Sequence, residues 1–254
     1  VPDQVDLALG CGVGAVFVRC AADASFDDLG RCAERIHSAG ATLELVVAAS
    51  SRAPAARLEQ WVRAAVTHGA ARIYRVDSGG PLTPARVAAR VSQALAWADG
   101  QVTVGLECTN ELGMATSNTV AGVEAGARWP MACVNGLGAQ TGTADLGAVA
   151  LACSELLGLE TGFEAARLQH LARAVELASG QLIPAQAPLV GQDAFRHQPR
   201  VAPAGGLLDP AAVGAVRTLI LGPRTDGPVL RSLAADAGIT LGDEALAQLQ
   251  AHLQ

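Results

Sequence analysis

Glu107, Thr109 and Asn110 stand within four residues of one another at the head of the run GLECTNELGMATSNTVAGVEAGARWPMACVNGLGAQTGT, residues 105–143. Spacing of i, i+2 on a strand puts Glu107 and Thr109 on one face. A carboxylate there offers a hard oxygen to Mg²⁺ or Mn²⁺, whereas a threonine hydroxyl is a poor ligand. The other reading of Glu107 is a strand-end carboxylate with a local hydrogen-bond or arginine partner. Arg52 and Arg75 suit an anion, and equally suit a solvated surface. His197 is a residual acid/base candidate, or a loop histidine with a structural hydrogen bond. 

Composition removes several chemistries. All 18 basic residues are arginine, so Schiff-base and Walker-type lysines are excluded. The six cysteines show no C-x-x-C or Cys/His zinc spacing, which predicts reduced thiols in a cytoplasmic protein. A net charge of −6 and only 3% aromatics argue against nucleic-acid binding. No signal peptide or membrane-length apolar run is present, so no membrane partner is expected.

The elements that must position these residues follow from periodicity. Apolar runs predict strands over Ala15–Arg19, Leu43–Ala48, Arg72–Val76, Val102–Glu107 and Met131–Val134. Helical patterns alternate with them over Ser25–Ala39, Pro54–His68, Thr83–Trp97, 115–125 and Ala144–Leu157, with Ser25 and Thr83 as N-caps. Five β/α units predict an α/β fold with a parallel sheet, more than half of an eight-unit barrel. After Gly158 the pattern changes to an amphipathic helix over Phe163–Ser179, a Pro/Gly-rich stretch over 184–210, and one or two short helices over 228–253. The expected domains are 1–160 and 161–254.

The run 105–143 resembles the homocitrate synthases and isopropylmalate synthases, most closely the homocitrate synthase of nitrogen fixation. That family reads roughly H-x-H-N-D-x-G-x-A-x-A-N, then E-A-G-A, then V-N-G-x-G-E-R-x-G-N. Asn110, Gly113, Ala115, Asn118, Glu124-Ala125-Gly126-Ala127, Val134-Asn135-Gly136, Gly138 and Gly142 match it. Arg72–Pro84, Leu159–Gly180, Val190–Pro210 and Leu221–Gly222 resemble further family motifs in the same order. The resemblance implies a partial TIM barrel equivalent to strands four to eight, followed by a small C-terminal helical subdomain. On that alignment Ala15–Arg19 is strand four, and the first three strands lie outside this sequence. 

The family reaction is a metal-dependent Claisen-type condensation of acetyl-CoA with a 2-oxo acid. The resemblance places Glu107 and Thr109 at the positions of the two metal-binding histidines, and Thr143 at a metal-binding asparagine. It places Ala48 and Ala49 at an acidic pair, Ala139-Gln140 at a Glu-Arg pair, and Ala202 at a proton-transfer histidine. Arg52, Asp77, Ser78 and Asn110 fall at substrate-binding positions. The expectation is a homocitrate synthase-like protein that keeps the scaffold without the metal ligands and acid/base residues. It would hold no cofactor and act as a binding or partner subunit: a homodimer, or a heterodimer with an intact synthase-like chain, with a small 2-oxo acid as possible ligand. The alternative is an active acyltransferase making homocitrate or a related 2-hydroxy acid with Mg, Mn or Zn.

Overall fold

The computed structural model describes residues 2–50, 52–77, 82–197, 208–222 and 225–253. The chain divides into two compact units, Val1–Gly162 and Phe163–Gln254. In the first, five strands run parallel in sequential order: β1 (Ala15–Ala21), β2 (Thr42–Ala48), β3 (Arg72–Asp77), β4 (Thr103–Cys108) and β5 (Trp129–Met131). Helices follow the strands in alternation: α2 (Asp27–Ser38), α3 (Ala55–Thr67), α4 (Pro84–Ala98), α5 (Ala115–Glu124) and α6 (Leu146–Leu157), with α1 (Pro2–Gly10) preceding β1. A parallel sheet in strict chain order, each strand followed by a helix, is a partial TIM barrel.

Strand alternation assigns the two faces. Leu43, Leu45, Ile73 and Val104 face the helices and are wholly buried. The helices meet them with stripes at helical spacing, such as Leu29, Cys32, Ala33 and Ile36 on α2, or Leu58, Trp61, Val62 and Ala65 on α3. The opposite, lumen face carries Phe17, Glu44 and Arg72 side by side in register, then Val46, Tyr74 and Gly105 one layer on. A Cβ at Gly105 would stand 2.5 Å from the Tyr74 ring and 2.6 Å from the Trp129 carbonyl, so glycine is what lets Tyr74 lie across β4.

Several boundaries differ from the sequence expectation. Among the described side chains of helix α1 only Val5 is buried, which leaves little stripe to read. Ser25 lies one residue outside the cap of α2; Phe26 occupies that position, while the Ser25 hydroxyl accepts the Asp27 N–H at 3.3 Å. The last strand is Trp129–Met131, not Met131–Val134, because Val134–Gly136 closes into a 3₁₀ turn with Asn135 at φ 57°. Thr83 is the N-cap of α4 with Pro84 behind it.

The second unit holds a 3₁₀ turn at Ala165–Arg167, α7 (Leu168–Ser179), α8 (Gly227–Asp236) and α9 (Asp243–His252). The expected helix over Phe163–Ser179 therefore starts five residues late. A two-residue parallel pairing joins β6 (Arg196–His197) to β7 (Thr218–Leu219). Among the described residues no helix is long and apolar enough to cross a membrane.

Candidate functional site

Parallel strands bring all their C-terminal ends to one rim, where barrel sites are built. Glu107 stands at that rim on the lumen face, half-buried, in register with Val76 and Met131. Thr109 and Thr143 come together as an isolated antiparallel bridge, and the Asn110 N–H donates to the Gly142 carbonyl at 3.0 Å. The structure therefore gathers the three positions that the resemblance implied were metal-binding. It also commits their hydroxyls: Thr109 Oγ1 donates to the Glu111 carboxylate at 2.6 Å, and Thr143 Oγ1 donates to the Leu137 carbonyl at 3.0 Å. Gly142 is required here, since a Cβ on it would meet the Gly136 carbonyl oxygen at 2.0 Å.

The asparagines serve the backbone. Asn110 Oδ1 accepts the Ala115 N–H at 3.1 Å, holding the start of α5. Buried Asn118 donates from Nδ2 to the Leu82 carbonyl at 2.9 Å. Asp145 caps α6 by accepting the Ala148 N–H at 2.8 Å. Burial pushes the Asp145 carboxyl above its ordinary value, while N–H groups of Ala148, Gly147, Asn135 and Gly136 pull against that rise. This residue ties the 134–138 loop to the last barrel helix. The sequence reading began that helix at Ala144 and missed the cap, although an Asp directly before the apolar run is the signal.

Arg75 does not share the lumen face with Glu107. Arg75 was expected at the mouth; it points instead to the helix side, is 7% exposed, and donates to the Arg90 carbonyl of α4 at 2.7 Å. Strand alternation is the reason, since Tyr74 beside it takes the lumen face. Arg52 is exposed on the loop after β2. At the neighbouring acidic-pair position, Ala49 takes φ 52°, the left-handed region. The side chain of Asp77, and all of Ser78 and Ala202, lie outside the described residues. So does the His197 side chain, whose backbone pairs with Leu219 in the second unit.

Two further features stand at this rim. The loop after β1 is locked by α3: Arg57 Nε donates to the Ala22 carbonyl at 3.0 Å, another guanidinium nitrogen reaches the Ala24 carbonyl, and the guanidinium carbon lies 4.3 Å from the Phe26 ring centre. Trp61 Nε1 donates to the same Ala22 carbonyl at 2.8 Å. A cavity of ≈20 Å³ is lined by Ser50, Arg75, Leu82, Arg90 and Glu107 among others. That volume suits roughly one water molecule.

The layer below carries a polar cluster that sequence reasoning did not single out. Glu44, 2% exposed, pairs with Arg72, whose guanidinium carbon sits 3.6 Å from the Trp129 ring centre. Burial, then the hydrogen bond and charge of Glu44, push the Tyr74 hydroxyl up to about 12 against the pull of Arg72.

A divalent ion was implied by the resemblance, and the donor set does not fit it. Glu107 is the one carboxylate among the three positions, and the neutral hydroxyls already donate elsewhere. Among the described residues no group of three His, Cys, Asp or Glu gathers as metal ligands.

Comparison with known proteins locates this scaffold. The HMGL-like family model matches residues 10–175. The homocitrate synthase AksA of Methanopyrus kandleri is 33% identical over 195 residues, covering 74% of this chain and 49% of the relative. The 2-isopropylmalate synthase of Saccharolobus solfataricus is 31% identical over 201 residues, covering 76% and 52%. The chain thus spans about half the length of these curated relatives. Among solved structures, the HMG-CoA lyase of Brucella melitensis superposes with a TM-score of 0.61 at 20% identity, over 70% of this chain and 71% of that one. The fold is that of these TIM-barrel lyases, and the chain belongs to the HMGL-like family, in its homocitrate and isopropylmalate synthase group.

Proposed function

We propose that this chain is a homocitrate synthase-like scaffold without catalysis of its own, serving in the cytoplasm as a binding or partner subunit. The observation that carries the reading is the arrangement of Glu107, Thr109 and Thr143. They occupy one corner of the rim, but one carboxylate and two engaged hydroxyls leave a hard cation short of anionic ligands. Without such a cation that corner has no Lewis acid to polarise a keto group. The apolar side chains at the acidic-pair and Glu-Arg positions, Ala48, Ala49 and Ala139, support the same reading. A small 2-oxo acid remains a candidate ligand, with Arg52 and Asn110 on the rim loops. Dimerisation, with itself or with an intact synthase-like chain, suits a sheet whose outer strands β1 and β5 each pair with a single neighbour among the described residues.

A second reading is favoured by the names of the relatives: an acyltransferase condensing acetyl-CoA with 2-oxoglutarate or a related 2-oxo acid. One experiment separates the two. Purified protein is assayed for bound Mg, Mn and Zn, and for coenzyme A release from acetyl-CoA with 2-oxoglutarate. Metal well below stoichiometric together with no release above the no-enzyme rate is the expected result. Stoichiometric metal with steady release overturns the first reading in favour of the second.

A further inference from the structure

We propose that the cavity beside β3 and α4 binds one small monovalent anion of the halide class, chloride in the cell, between Arg75 and Arg90. The site stands apart from the Thr109–Thr143 corner and does not depend on the partner-subunit reading. The cavity measures ≈20 Å³. Val87, Val91 and Leu106 wall it with apolar surface, and Arg75, Arg90 and Glu107 are the charged residues of its lining.

The charges there do not balance. Arg75 is 7% exposed, so its guanidinium is almost wholly removed from water. Such burial requires compensating charge and hydrogen bonds. The bond to the Arg90 carbonyl at 2.7 Å supplies a neutral acceptor only. Arg90 is itself half-buried, and its guanidinium meets the Ser50 and Ala53 carbonyls at 3.5 and 3.3 Å, the long end of the hydrogen-bond range. Two arginines and one glutamate leave the lining with one net positive charge. Strand parity sends Arg75 and Glu107 off opposite faces of the sheet, because Arg75 is in register with Leu106 and Val76 with Glu107. One monovalent anion on the helix side neutralises the remainder.

Size and walls select the anion. A volume of ≈20 Å³ takes about one water-sized body, so a phosphate or the carboxylate of a 2-oxo acid does not fit. Apolar walls offer no hydrogen bonds to a hydration shell, which favours a weakly hydrated halide. Arg90 already joins α4 to the loop after β2 through the Ser50 and Ala53 carbonyls. The anion strengthens that junction and steadies the segment that carries Arg52.

The test follows thermal unfolding of the 254-residue chain while sodium chloride replaces sodium gluconate at constant ionic strength. Gluconate is too large for the cavity. Chloride should raise the melting temperature by about 3 °C by binding the folded state. Arg90→Gln and Arg75→Met should each abolish that rise; the second replaces the buried guanidinium by an uncharged chain. Crystals grown in gluconate and soaked in sodium bromide should show an anomalous peak between the two guanidinium groups. A rise of equal size in Arg90→Gln would be a general salt effect and would overturn the proposal, whether or not Arg75→Met folds. A cavity without a bromide peak would overturn it too, and would assign the space to an ordered water.

Discussion

The two faces of the five-stranded sheet obey different rules. Toward the helices, Leu43, Leu45, Ile73 and Val104 are wholly buried against stripes from α2, α3 and α4. Toward the lumen, the same strands carry Glu44, Arg72, Tyr74 and Glu107, beside rings of Phe17 and Trp129 that remain about half exposed. The helix side is complete by itself. The lumen side pairs Glu44 with Arg72 at its centre and leaves Phe17 and Trp129 about half exposed at its margins. Apolar packing and the buried polar cluster are therefore housed on opposite sides of one sheet, and a substitution should reveal its side by its effect.

The largest expected effect lies on the helix side. Trp61 is 1% exposed and its Nε1–H holds the Ala22 carbonyl. Trp61→Ala should cost about 3–5 kcal/mol, from lost burial, a cavity and an orphaned carbonyl. Urea unfolding reads this as a lower midpoint with an unchanged slope. A loss under 1 kcal/mol would mean that the helix layer is looser than its burial indicates.

On the lumen side the sharpest probe is Tyr74, the single tyrosine of the chain. Absorbance at 295 nm therefore reports it alone. Its hydroxyl is pushed up to about 12 in the fold, against roughly 10 in an unfolded chain. The folded value is the higher one, so the native state holds its proton longer. Stability is full below about pH 10 and falls as pH rises toward 12, by about 2–3 kcal/mol across that window. A native titration midpoint near 10 would mean that the lumen centre is solvated like its margins.

The contrast between the faces also explains what could be read from sequence. The helix side was legible because burial on one face writes a period into the chain: LELVV for β2, and Leu58, Trp61, Val62 and Ala65 for α3. Where burial is slight the signal fades, as in α1 with Val5 alone, or across 184–210. The rim was legible only in part. Motif resemblance named Glu107, Thr109 and Thr143 and their proximity was found, yet it could not name Glu111 or the Leu137 carbonyl as partners of the hydroxyls. Those bonds depend on loop paths that no periodicity encodes. Arg75 was misplaced for a simpler reason: strand parity had to be counted from Tyr74, and an arginine on the helix side is the less common choice.

At the rim, where the two faces meet, effects should shrink. Asp145→Ala removes the cap of α6 and the acceptor for the 134–138 loop. A cost of about 1–2 kcal/mol is expected from thermal or urea unfolding. Asp145→Asn, which keeps an acceptor oxygen, should recover at least half of it. Equal losses for the two variants would show that charge at the helix N-terminus, rather than the acceptor, carries the contribution.

The smallest effect should come from Glu107, half-buried on the lumen side of the rim. Were Glu107 part of a cation site, millimolar Mn²⁺ would raise the melting temperature through mass action, and Glu107→Ala would abolish that rise. With Thr109 and Thr143 engaged elsewhere, the expected outcome is a melting temperature indifferent to Mn²⁺. Glu107→Ala should then alter stability by no more than about 0.5 kcal/mol in either direction. A Mn²⁺-dependent rise that vanishes in the variant would move the rim from the scaffold to the chemistry, and with it the proposed function.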